Sequence, residues 1–110
     1  MGEVRLVLNT MGSARQAKDL GRLLVEEGLA ACVTLLPGCV SIYRWEGEVQ
    51  EEPECLLLIK TVDERLDELE RRLSTLHPYD LPEFVALEPA AVSEGYLAWL
   101  LEGCRVRPGL

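Results

Sequence analysis

The chain has 110 residues, 48% of them hydrophobic and 27% charged, which is the size and balance of one domain able to pack a single core, so residues 1–110 read as one unit. The 11 Lys and Arg stand against 19 Asp and Glu, and the resulting net charge of −8 disfavours nucleic acid and anionic membrane surfaces as partners. No apolar run is long enough to cross a bilayer, and Glu3 and Arg5 interrupt the N-terminus where an export signal would be apolar, so a cytoplasmic location is expected.

Alternation from Glu3 to Asn9, with Val4, Leu6 and Leu8 as the better buried face, predicts a first strand. Ser13 and Gln16 make a capping box. Ala14, Ala17, Leu20 and Leu24 then follow at helical spacing until Gly28 stops the helix. Leu29 to Leu36 is almost wholly apolar, as in a strand covered on both faces, and Pro37-Gly38 marks a bulge after which it resumes as Cys39 to Glu46. The turn Trp45-Glu46-Gly47-Glu48 joins it to a further strand centred on Glu54 to Thr61, giving a hairpin. A helix is predicted over Asp63 to Leu76, because Leu66, Leu69, Leu73 and Leu76 share a face and acids open its first turn. His77 to Pro82 is a stiff loop fixed by two prolines, Glu83 to Glu88 a fourth strand, Ser93 the cap of a third helix, and Arg105 to Leu110 a tail.

Right-handed crossovers fold this order into an α+β, ferredoxin-like unit: βαββαβ plus a C-terminal helix, with an antiparallel sheet carrying helices on one face. Two helices cover only one face. Leu29 to Leu36 and Cys55 to Ile59 are nevertheless apolar at both parities, so the open face predicts an obligate homo-oligomer.

The cysteines Cys32, Cys39, Cys55 and Cys104 show no metal-finger spacing and read as free thiols. Cys39 and Cys55 suit small buried hydrophobes, and Cys104, near the chain end, is expected to oxidise most readily. Five carboxylates from Glu46 to Glu54 crowd the hairpin and lack calcium-loop spacing, which fits a solvated tip that resists aggregation. Tyr43, Trp45, Tyr79, Tyr96 and Trp99 are amphipathic aromatics suited to subunit packing or a cleft. Lys60, at the end of a central strand, needs a partner, and Glu54 or Glu83 across such a cleft could supply it. No catalytic triad, phosphate loop or His-Glu-x-x-His pattern occurs, so the chain is not expected to be an enzyme.

The segments Ala31-Cys32-Val33, Pro37-Gly38, Trp45-Glu46-Gly47, Ile59-Lys60-Thr61, His77-Pro78-Tyr79 with Pro82-Glu83, and Tyr96-Leu97-Ala98-Trp99-Leu100 resemble, in order and spacing, the CutA divalent-cation tolerance family. The resemblance spans nearly the whole chain. It implies a cytoplasmic homotrimer with hairpins reaching onto neighbouring subunits, and links the chain to tolerance of divalent metals, copper especially. On that basis Cys32, Glu54 and His77 are candidate metal ligands, with Glu83 as a further oxygen donor, for copper or zinc and with no obligatory cofactor. The competing role for His77 is a helix C-cap. The end of the first strand departs from the family, reading Leu8-Asn9-Thr10 where many members carry a cysteine, which removes a soft donor. Two other readings stay open: a nucleotide- or small-molecule-binding regulatory trimer resembling the PII proteins, and a structural trimer acting through a protein partner.

Overall fold

The computed structural model describes residues 4–104. Strand β1 (Val4–Met11) leads into helix α1 (Ala14–Glu26), where the Ser13 hydroxyl accepts a hydrogen bond from the Gln16 N–H at 3.2 Å, as the capping signal predicts. Strands β2 (Cys32–Trp45) and β3 (Glu48–Val62) form the long hairpin. A 3₁₀ turn at Asp63–Arg65 then opens helix α2 (Leu66–Leu76), and strand β4 (Val85–Leu87) and helix α3 (Glu94–Gly103) follow. The four strands make one antiparallel sheet in the order β2-β3-β1-β4, the ferredoxin-like arrangement. The tail from Arg105 to Leu110 lies outside the described residues.

Register decides which face each residue serves. Val7 pairs with Ile59 and Asn9 with Leu57, so Val7, Met11, Leu57 and Ile59 point into the core. There they meet Leu20 and Leu24 of α1 and Leu69 and Leu73 of α2. Each of these fully buried aliphatic side chains contributes roughly 1.5–3 kcal/mol. This corrects the expected face of β1. Leu6 and Leu8 lie on the opposite, helix-free face, because the strand is apolar at both parities and composition alone cannot say which side receives the helices. Arg72 ties the two helices together by gripping the Glu27 carboxylate at 2.7–3.2 Å, and its hydrogen bonds hold that carboxyl below its usual range.

The hairpin is longer than its apolar run. At the turn Glu46 and Gly47 both have positive φ, 52° and 85°, the geometry that two-residue hairpin loops favour. The predicted bulge is present between Leu36 and Cys39, with Gly38 at φ 81°. Pro53 sits inside β3 without cost, since β1 ends opposite Cys55 and leaves that stretch of β3 paired on the β2 side only. Strand β2 is an edge strand, and within the protomer only one of its faces is covered: Val33 and Leu35 pack on the core while Leu36 is 44% exposed. Strand β4 shrinks to three residues.

The face of Leu6 and Leu8 is free of α1 and α2 but not of α3, which packs over one end of it, where Leu100 and Cys104 meet Val4, Ala31 and Val62. Cys104 is therefore 3% exposed, and burial pushes its thiol up, which overturns the expectation that it oxidises first. All four cysteines are free. Among the described residues no helix is long and apolar enough to cross a membrane.

Candidate functional site

Two segments approach each other beyond the end of β1: the arm of the hairpin past the bulge, and the loop from His77 to Pro82. The loop is positioned by its polar groups. The His77 backbone N–H caps α2 on the Leu73 carbonyl at 2.8 Å, while its ring turns away to β1. Nδ1 accepts from the Tyr79 N–H at 3.1 Å, which leaves Nε2 to donate to the Thr10 carbonyl at 2.9 Å. Both ring nitrogens are thus engaged, and the ring serves as a brace between β1 and the loop, where it also meets the edge of Tyr79. At the other end of the loop, the fully buried Asn9 donates from Nδ2 to the Glu83 carbonyl at 2.7 Å. Its Oδ1 finds no hydrogen-bond partner among the described residues. The position that departs from the family pattern is thereby a strut for the loop.

Glu54 is the centre of this arrangement. It stands on the helix-free face of β3, only 9% exposed, and accepts from the Tyr79 hydroxyl at 2.7 Å. Burial pushes its carboxyl up, but hydrogen bonds from Ser41, Tyr79 and Thr10, helped by nearby His77, outweigh that and hold it below the usual carboxylate range. Burial and the same carboxylate push the Tyr79 phenol up to about 12. Gly12 makes room for this contact, since a Cβ there would lie 3.3 Å from the Tyr79 hydroxyl.

Between arm and loop lies a cleft of about 890 Å³. Glu52, Glu54, Asp80 and Glu83 line it, Tyr43, Trp45 and Tyr79 give it aromatic walls, and among the described residues no lysine or arginine lines it. None of the ion pairs among the described residues includes Glu54. A concave site with four carboxylates and no lining cation attracts positive charge.

The sequence-predicted residues divide between two places. Glu54, His77, Glu83, Tyr79, Tyr43 and Trp45 gather at the cleft or directly behind it. Cys32, Lys60 and Trp99 do not. Cys32 pairs in register with Lys60, six residues along β3 from Glu54 and so about 20 Å away. Lys60 makes neither ion pair expected of it within the protomer; its Nζ donates to the Tyr96 hydroxyl at 3.2 Å, and Tyr96 stacks on Trp99. A site joining Cys32 to His77 would have to be built from two copies. Among the described residues no three His, Cys, Asp or Glu side chains group to hold a metal ion, so one protomer's donors do not fit an ion unaided. Thr10, Ser41, Glu52 and Asp80 were not legible as site residues. Only the hairpin register and the loop's course bring them to the cleft.

A ferredoxin-like chain with a long two-stranded arm and an acid- and aromatic-lined cleft defines the class of protein. Residues 5–103 match the family described as CutA1 divalent ion tolerance protein, and the chain belongs to that family. It is 50% identical over 97 residues to the divalent-cation tolerance protein CutA of Thermus thermophilus, covering 88% of this chain and 94% of that protein. It is 41% identical over 100 residues to the chloroplastic protein CutA of Arabidopsis thaliana, covering 91% of this chain and 55% of that longer protein. Among solved structures, CutA from Xylella fastidiosa superposes with a TM-score of 0.90 at 41% identity, covering 94% of this chain and 99% of that one.

Proposed function

We propose that this protein serves divalent-cation tolerance as a cytoplasmic homotrimer that collects divalent metal ions, copper or zinc among them, at the cleft between hairpin arm and proline loop. The observation that carries this reading is the charge of the cleft: four carboxylates, one of them buried and held ionised, with no lining basic side chain among the described residues. Because one protomer lacks a complete donor set, a neighbouring copy must contribute to any tight site. Cys32, on the helix-free face, is the soft donor that a neighbour could bring. The four free cysteines accord with a reducing compartment.

Native mass spectrometry of reduced, chelator-stripped protein, titrated with Cu(I), Cu(II) and Zn, reads subunit number and bound ions together. A trimer taking up three ions of one metal, with uptake reduced in Cys32→Ser and Glu83→Gln, is the expected result. Ragged, non-selective uptake that these variants leave unchanged overturns the metal site and moves the search to protein partners.

A further inference from the structure

The helix-free face of the sheet is electrically lopsided. At one end stands Glu54, buried, ionised and outside every ion pair of the described residues. At the other stands Lys60, likewise in none of those ion pairs, its ammonium held by the Tyr96 hydroxyl and lying 5.5 Å from the centre of that ring. Between them run apolar rows set by the register. Leu87, Leu6 and Lys60 lie side by side, as do Val85, Leu8 and Leu58, and then Thr10, Leu56 and Leu36. The two charges are about 20 Å apart along β3, too far for a lysine to bridge within one chain.

We propose that Lys60 of one copy pairs with Glu54 of the next, so that the cleft of each protomer is completed by a neighbour's ammonium. The occupant of the helix-free face is a second copy of this chain, and two observations select it. The face carries both members of the pair, so copies laid against one another in a consistent direction satisfy each charge without any other partner. The apolar rows between the charges supply the burial that the pairing orients, while the charges fix direction and register. A chain of net charge −8 otherwise repels its own copies, which makes a local attractive pair the element that sets how they meet. This pairing rests on the assembly proposed above.

The test is a charge-reversal cycle, Lys60→Glu, Glu54→Lys and the two together, read by sedimentation velocity over a dilution series, with circular dichroism confirming the fold. Each single reversal places like charges together and is expected to raise the half-dissociation concentration about tenfold or more, and the double reversal to recover most of that loss. Because Glu54→Lys can fail to fold, a neutral cycle of Lys60→Met and Glu54→Gln runs beside it, with the double variant expected to dissociate no more readily than either single. Effects that simply add in both cycles, in a wild type that assembles, overturn the pairing alone. A wild type that sediments as a monomer throughout overturns the assembly and the pairing with it.

Discussion

Tyr79 joins three parts of the molecule that are far apart in sequence. Its N–H donates to the His77 ring, and its hydroxyl both holds Glu54 on the hairpin and lies close to Gly12, just past the end of β1. Replacing it by phenylalanine keeps the ring and removes the bond to a charged acceptor. The expected loss is about 1 kcal/mol, below the usual contribution of a bond to a charged group because water can replace it at a residue 39% exposed. The pH dependence is more diagnostic. The phenol's folded value of about 12 lies above its unfolded value of 10.0, so its contribution is fully present below the unfolded value and is lost as pH rises through the folded one. Denaturant midpoints measured from about pH 8 to about pH 12 are therefore expected to fall more steeply for wild type than for Tyr79→Phe. Parallel profiles would show that the Glu54 bond does not set the phenol's behaviour. The sequence announces Tyr79, His77 and Glu83 because proline fixes the loop that carries them. It conceals Asn9, whose buried amide becomes readable only once register places it between Val7 and Met11 on the core face.

Among the elements, α3 shows most directly how a helix is held in place by the smallness of one residue. Gly103 closes the helix against Ala31, the residue before β2, and a Cβ there would come within 2.9 Å of the Ala31 Cβ and 3.2 Å of its Cα, a contact backbone cannot yield cheaply. Gly95, in the first turn of the same helix, has nothing within 4 Å of an added Cβ. Gly103→Ala is expected to destabilise the protein by about 1–3 kcal/mol. Gly95→Ala is expected to stabilise it by about 0.5–1 kcal/mol, through the lost freedom of the unfolded chain. Equal effects in urea unfolding would mean that α3 floats on the sheet and is not locked to Ala31. Such an outcome would also remove the support of Tyr96 under Lys60. The elements themselves were legible where periodicity is strong, as in α1 and α2, and where turn chemistry is explicit, as at Glu46-Gly47 and Pro37-Gly38. The length of β3 was not, because Glu48 to Pro53 is charged and carries a proline, a composition that suits only a strand protruding beyond its second neighbour.

At the scale of the whole molecule, the protomer is drawn out to 45 × 32 × 22 Å, with a radius of gyration of 14.6 Å against about 13 Å expected of a globule of this length. The excess lies in the hairpin arm, which runs past both helices and still carries apolar side chains on its two faces. Val40, Ile42 and Val49 are 62–65% exposed and Trp45 49% exposed. Mixed parity in the sequence already pointed to a second surface seeking burial, but which residues would meet was hidden until register assigned them to faces. An isolated domain gains nothing from an apolar arm and risks edge pairing along β2, so the arm makes physical sense when neighbouring copies cover it. Val40 separates this reading from a merely tolerated exposure, because it lies outside the cleft and is 63% exposed. In a free arm, Val40→Glu costs the protomer little, since a glutamate there stays in water. In a covered arm, the same change buries a charge without a partner and is expected to raise the half-dissociation concentration by at least about tenfold. Sedimentation of this variant, with thermal unfolding of the dissociated form as the control on the fold, distinguishes the two: an unchanged assembly would place the arm in solvent, and a folded monomer places it in the interface.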